Sequence, residues 1–292
     1  MTPAGSNTAP REMAGAGAAR GGPVCRHLFA GMERFGVKES DICKLAFQCD
    51  ASFIRESVVL TPMWEPDSFL PYTDKITPLA EFNYRKVWDV SLGDKKISFI
   101  RTGIGAPAVC HAVFALGASP CSTVLFIGAA GGIVPSIQVG DLIIPEYSVC
   151  GDGSCRYITT GSVKGNDCFG QKYYPNREIS LTLSAAAKLV PQNENHRLHS
   201  GKTFSVDNLF AEFAHLEEIL DLGCDTIEME TAALFLAAET SGIRAGALFS
   251  VSDNSFSGKS LYAGRTPEDE QRRSHARYHL IPKIILETLK RI

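Results

Sequence analysis

The sequence contains no apolar run near the roughly 20 residues that a membrane-spanning helix needs, and its first residues lack the apolar core of a secretory signal. Blocks of like charge are also missing. Lys and Arg number 29 against 32 Asp and Glu, and nowhere do about five or six like charges line up to track a phosphate backbone or an anionic membrane. Nucleic acid and membranes are therefore not expected partners. The nine cysteines include no C-x-x-C pair, and an odd number suits free thiols in a reducing compartment, so the expected location is cytoplasmic. Cys150 and Cys155 share one loop region, where a disulfide is the alternative. His275 and His279 stand four apart, as helical metal ligands can, but no carboxylate or cysteine completes a set. Both read as ordinary helix residues, and no metal is expected.

What is present is a chain of 292 residues, 45% hydrophobic and 21% charged, long enough to bury a sizeable core. Residues 1–25 are rich in Ala, Gly and Arg, with Glu12 their one acid, and read as a disordered tail or, alternatively, a transit peptide. Residues 26–292 form the expected domain. Helical spacing occurs in 38–53, 108–118, 179–190 and 230–242, and in a long closing helix with Thr266 as N-cap and Pro267 at its first position. Strands are expected at 57–60, in a hairpin of "KVWDVSL" and "KKISFI", and at 123–127, 141–149, 201–207, 224–229 and 244–253. This alternation predicts a single α/β domain with a central mixed β-sheet flanked by helices.

"GIGAPA" at 103–108 loosely matches a dinucleotide fingerprint, but the next strand ends in "FIGAAGG" without the acid that would hold a ribose. Three pieces taken together are more specific: "TGIG" at 102–105, "GAAGGIVPSIQVGD" at 128–141, and "EMETAALF" at 228–235 followed by "VSD" at 251–253. The combination resembles the nucleoside phosphorylase and nucleosidase superfamily over roughly residues 57–290. The resemblance implies that glycine turns carrying Thr102, Gly103, Gly105, Gly128, Ala129 and Gly131 lie against the nucleophile, which small residues permit. It further implies that Glu228, Met229 and Glu230 hold the ribose, with a carboxylate favouring the positive charge that develops on the sugar. Asp253 falls where purine-specific members carry an acid that protonates N7 of the leaving base. Leu209 and Phe210 of "SVDNLF" and Tyr157 of "DGSCRY" match the base side of the pocket.

The sequence departs from the phosphorylase pattern at two arginines. "TPMWEP" replaces the Gly-Asp-Pro-x-x-Arg type motif after the first strand, and Phe126 stands where an arginine is expected before the glycine turn. A phosphate dianion calls for such a side chain. Arg85 and Arg101 are the replacements considered, with Arg272 and Arg273 behind them. Nucleosidases use water and a glutamate base, and Glu65 lies near that position. Phosphorolysis of a purine-type nucleoside is thus the first reading and hydrolysis the second; nucleoside binding or storage without turnover on the same fold is the third. No organic cofactor is implied, phosphate being a co-substrate. The resemblance also implies a homo-oligomer, a dimer or a trimer of dimers, in which a neighbour completes the site.

Overall fold

The computed structural model describes residues 21–190 and 196–292. Most of the expected tail lies outside them, but its last residues belong to the domain: Pro23 opens α1 (Pro23–Glu33), where Cys25 is buried. The Gly22 N–H donates to the Thr240 carbonyl at 3.0 Å, docking this end of the chain. In 38–53 only α2 (Ile42–Phe47) is α-helical, because Gln48 takes a left-handed conformation and ends it. Strand β1 (Ser57–Thr61) leads to β2 (Lys75–Phe82), β3 (Arg85–Leu92) and β4 (Lys95–Arg101). The expected hairpin is β3 and β4; β2 adds a third antiparallel strand that the sequence pattern missed, with an irregularity in register after Pro78.

Helix α3 (Ala106–Gly117) follows, then β5 (Thr123–Gly132), β6 (Leu142–Gly151) and the two-residue β7 (Lys172–Tyr173) within the long polar loop. Next come α4 (Arg177–Leu189), β8 (Leu198–Val206), α5 (Leu209–Ala214), α6 (Leu216–Asp221) and β9 (Thr226–Glu228). The chain closes with α7 (Thr231–Ser241), β10 (Arg244–Asn254), α8 (Pro267–His275) and α9 (Ile281–Leu289). Gly242 ends α7 in a left-handed conformation, and Thr266 caps α8 in a reciprocal box with Asp269, both as their residue types favour. The long closing helix is not uniform. A π-helical segment at Ala276–Leu280 separates α8 from α9, just before Pro282, which has no N–H to continue an α-helical ladder.

The sheet is mixed. Its order is β10-β6-β8-β9-β5-β1-β4-β3-β2, and β10 also pairs with β5, so five strands close into a ring from which β1, β4, β3 and β2 extend. β5 is the trunk: it runs parallel to β1 and β10 and meets β9 antiparallel at Gly131 and Gly132. Its side chains alternate as strand geometry dictates. Val124 and Phe126 enter the apolar cluster with α3 and α7, while Leu125 and Ile127 enter the one with α4 and α9. No helix among the described residues is long and apolar enough to cross a membrane.

Candidate active site

Three chain segments meet where β4 leads into α3, where β5 ends, and where β10 ends. A hydrogen bond of 2.6 Å from the Gly105 N–H to Glu230 Oε1, both buried, ties the first of them to the start of α7. Gly103 and Gly105 have φ of +90° and +96°, a region where side chains are strained, so glycine makes this corner possible. Thr102 is fully buried, and its hydroxyl donates to the Gly103 carbonyl at 2.7 Å. The Tyr84 ring covers Gly103 so closely that a Cβ there would sit 2.4 Å from ring carbons.

Gly128, Ala129 and Gly131 are not in a turn. They extend β5, paired with Phe249, Ser250 and Asp253 of β10, because extended glycine continues the ladder where both neighbours offer one. Side chains are excluded by the protein itself: a Cβ on Gly128 would lie 3.4 Å from the Phe249 ring, and one on Gly131 3.3 Å from Asp253 Oδ2. The glycine run thus makes room for Asp253. Phe126, where an arginine was expected, is core and packs edge-on against Phe249 at 5.9 Å.

Glu228 and Glu230 have different tasks. Glu228 Oε2 accepts from the N–H groups of Glu230 and Thr231 at 2.7 and 2.8 Å, and its Oε1 accepts from the Ser205 hydroxyl. It therefore caps α7, satisfying N–H groups that the first turn leaves open. Both oxygens of Glu228, which was expected to hold the ribose, are thus engaged within the chain. Glu230 is 4% exposed, and its side chain accepts from the Gly105 N–H. Burial and the neighbouring Glu228 charge push its carboxyl up to about 8. Between them, half-buried Met229 packs against a cluster that includes Ile133, Tyr147 and Phe204.

Asp253 is 4% exposed and follows an irregularity in the register of β10. Burial raises its carboxyl above the usual range, against the Ser252 hydroxyl, which donates to Oδ1, and the charges of Arg265 and Arg273. Arg265 donates to the Ser252 carbonyl at 3.1 Å and pairs with Glu270 at 2.8 Å.

The other expected residues are dispersed or already engaged. Arg101 donates to Glu65 Oε1 at 2.9 Å and to the Tyr84 carbonyl at 2.9 Å, while Lys86 pairs with the same Glu65 oxygen at 3.0 Å. Glu65 is thus held by two cations. Arg85 donates to the Ala46 carbonyl at 3.1 Å, and Arg272 pairs with fully buried Asp141 at 3.0 Å. On the base side, Leu209 packs against the Phe204 cluster, while Phe210 and Tyr157 point outward, 83% and 67% exposed. They do not converge on Asp253 in this conformation, because Phe210 lies on the open face of the short α5 and Tyr157 ends a 3₁₀ turn.

The sequence reading missed Tyr84, Arg265 and Glu212. Glu212 is a lone acid inside the apolar run "LFAEFA", and that interruption was its signal. It is 7% exposed, and burial together with the Asp253 charge lifts its carboxyl to about 7. It also lines a cavity of about 410 Å³ with Phe169, Phe204, Val206 and His215, whose lining includes neither Glu230 nor Asp253.

Among the described residues, one group has side chains close enough to share a cation: Cys150, Asp152 and Cys155, all buried, with ligand atoms within 4.8 Å of one another. All nine cysteines are free, so the Cys150–Cys155 disulfide is not formed. Both thiols donate to Asp152 Oδ2, at 3.5 and 3.4 Å, which gives this buried carboxylate partners. The rings of His275 and His279 lie 5.2 Å apart. His275 also shares a hydrogen bond with His196 at 3.0 Å.

A model of the phosphorylase superfamily matches residues 64–280. A DeoD-type purine nucleoside phosphorylase of Listeria welshimeri is 29% identical over 170 residues, covering 58% of this chain and 68% of that protein. A uridine phosphorylase of Escherichia coli is 29% identical over 181 residues, covering 59% and 70%. In fold, the chain is similar to the crystal structure of uridine phosphorylase from Vibrio fischeri, with a TM-score of 0.70 at 22% identity over 88% of this chain and 99% of that one. It is also similar to the purine nucleoside phosphorylase of Toxoplasma gondii in complex with immucillin-H, with a TM-score of 0.65 at 17% identity over 83% and 94%.

Proposed function

The chain belongs to the phosphorylase superfamily of nucleoside-cleaving enzymes, and on that premise we propose that it splits the N-glycosidic bond of a purine-type nucleoside with phosphate. The observation that carries the purine reading is Asp253, a buried carboxyl that keeps its proton to higher pH than an exposed one. A purine leaves poorly as an anion. As the C1′–N9 bond breaks and its electron pair moves into the base, Asp253 gives its proton to N7, and a phosphate oxygen forms the new bond to C1′. The products are the free base and ribose 1-phosphate.

Glu230 holds the sugar. Its side chain is fixed by Gly105 through one oxygen, leaving the other to accept from ribose hydroxyls and to favour the cationic sugar. Phosphate meets the glycine corner at Thr102–Gly105, with Arg265 and Arg273 as the cations that act on Asp253. A second reading, hydrolysis, is favoured by one observation: Arg85, Arg101 and Arg272 are all bound within the chain, and Phe126 supplies no charge. In that reading Glu65 would be the base, although Arg101 and Lys86 already hold it.

Copies of the chain associate in this proposal, as a dimer or a trimer of dimers. An apolar groove lined by Leu28, Met32, Leu45, Ala46 and Phe114 is open to solvent and supports such an interface. Nine reduced cysteines support a cytoplasmic location.

The test is base release from inosine, adenosine and methylthioadenosine, with and without phosphate, identifying the sugar by mass. Phosphate-dependent release with ribose 1-phosphate is expected. Free ribose without phosphate would establish hydrolysis, and no release would leave a binding protein.

A further inference from the structure

Cys150, Asp152 and Cys155 take no part in the proposed cleavage, yet their polar atoms are gathered in the protein interior. All three side chains are buried, and their ligand atoms lie within 4.8 Å of one another. Cys150 is near the end of β6, where its N–H donates to the Gln171 carbonyl at 2.8 Å, and Cys155 belongs to the 3₁₀ turn Ser154–Tyr157 in the long polar loop. Asp152 joins the two. Its Oδ1 accepts from the N–H groups of Ser154 and Cys155 at 2.8 and 3.1 Å, and its Oδ2 accepts from both thiols.

We propose that Cys150 Sγ, Cys155 Sγ and Asp152 Oδ2 form a binding site for one zinc-type cation. The donor set selects the metal: hard cations such as Mg²⁺ and Ca²⁺ take oxygen ligands, whereas borderline-soft zinc accepts thiolate sulfur and carboxylate oxygen together. The spacing fits as well. A tetrahedral zinc with Zn–S of about 2.3 Å and Zn–O of about 2.0 Å has an S···O edge of roughly 3.5 Å. The thiols stand 3.5 and 3.4 Å from Asp152 Oδ2, so the cation enters among atoms that already have its spacing.

The charge balances too. As the cation binds, each S–H bond breaks with its electron pair left on sulfur, and the two protons pass to solvent. Three anionic ligands around a dication carry one net negative charge, the same as one carboxylate with two neutral thiols. The exchange therefore adds no net charge to the interior, which would be costly. The backbone N–H groups on Oδ1 supply the outer support that orients a ligating carboxylate, and water takes the fourth position. The bound cation fastens the turn that carries Tyr157 to the end of β6.

The experiment titrates the reduced, metal-free full-length protein with Co²⁺ and then Zn²⁺. A thiolate-to-cobalt charge-transfer band should saturate at one cobalt per chain and vanish with one equivalent of zinc, and zinc should raise the melting temperature. Competition with a chromogenic chelator then compares zinc affinities. Cys150→Ser, Cys155→Ser and Asp152→Asn should each weaken binding by about tenfold or more, since even outer-shell changes cost that much. Cys224→Ser, buried in a different apolar cluster, should bind as wild type does. X-ray absorption at the zinc edge of the wild-type complex should count two sulfur neighbours, a readout that does not depend on any variant folding. Absence of the cobalt band, a zinc shell without sulfur, or wild-type affinity in Cys150→Ser and Cys155→Ser would overturn the site.

Discussion

At the scale of single residues, the site contains four buried carboxyls whose surroundings differ. Glu228 accepts from three donors and serves the backbone; Glu230 accepts from the Gly105 N–H, Asp253 accepts from the Ser252 hydroxyl, and Glu212 lines a cavity. In the proposed reaction Asp253 is the proton donor and Glu230 holds the sugar. Asp253→Asn should therefore cut purine nucleoside cleavage by about a hundredfold or more, the usual range for losing a general acid, while keeping the melting temperature. Full activity in that variant would remove Asp253 from the chemistry.

Glu212 makes a stability prediction that does not depend on a substrate. Its carboxyl is raised in the folded state from 4.5 to about 7, so the native protein holds a proton that the unfolded chain gives up. The penalty is absent below about pH 4.5, grows as pH rises toward 7 and is constant above. Glu212→Gln should consequently raise stability by roughly 1–3 kcal/mol at pH 8 and by little at pH 4. Denaturant titrations at the two pH values would show it, and an equal effect at both would contradict the raised carboxyl.

At the scale of elements, the corner between β4 and α3 and the start of α7 are joined by one hydrogen bond, Gly105 to Glu230. Their geometry depends on residues that touch no ligand. Removing the Glu228 side chain opens two N–H groups of α7 and strands the Ser205 hydroxyl, so Glu228→Ala should cost about 1–3 kcal/mol. If chemical denaturation shows no loss, the capping role is wrong. Gly131→Ala tests the neighbouring strand. Its methyl group would arrive 3.3 Å from Asp253 Oδ2, displacing the carboxyl more than the backbone, so turnover should fall further than stability.

Across the whole molecule, buried Asp141 ties the start of β6 to the closing helices. It pairs with Arg272 of α8 and with His199 of β8, and accepts from the backbone N–H groups of Gln138 and Arg197. Burial pushes its carboxyl up, but the His199 bond and the backbone donors outweigh burial and hold it below the usual value of 3.8. A depressed carboxyl stabilises the fold above the unfolded value, and that contribution is lost as pH falls below about 3.8 through the folded value. Asp141→Asn should flatten this acid limb of stability. An unchanged acid-unfolding curve would count against it.

The sequence by itself determined the family, the α/β alternation, most helices, and the segments that carry Glu230 and Asp253, because local periodicity, caps and short motifs are written in neighbouring residues. β2 was not legible, since its apolar residues are only partly covered at a sheet edge and do not alternate cleanly. The glycine run was legible as a close approach but not for its cause. A turn and a central strand look alike until β10 and β9 are placed beside it, and only then is Asp253 seen to need the room. The engagement of Arg85, Arg101 and Glu65, the different partners of Glu228 and Glu230, and the burial of Glu212 were decided by the tertiary structure alone. A charged side chain's role depends on which charges and donors surround it, and those come from residues far away in the chain.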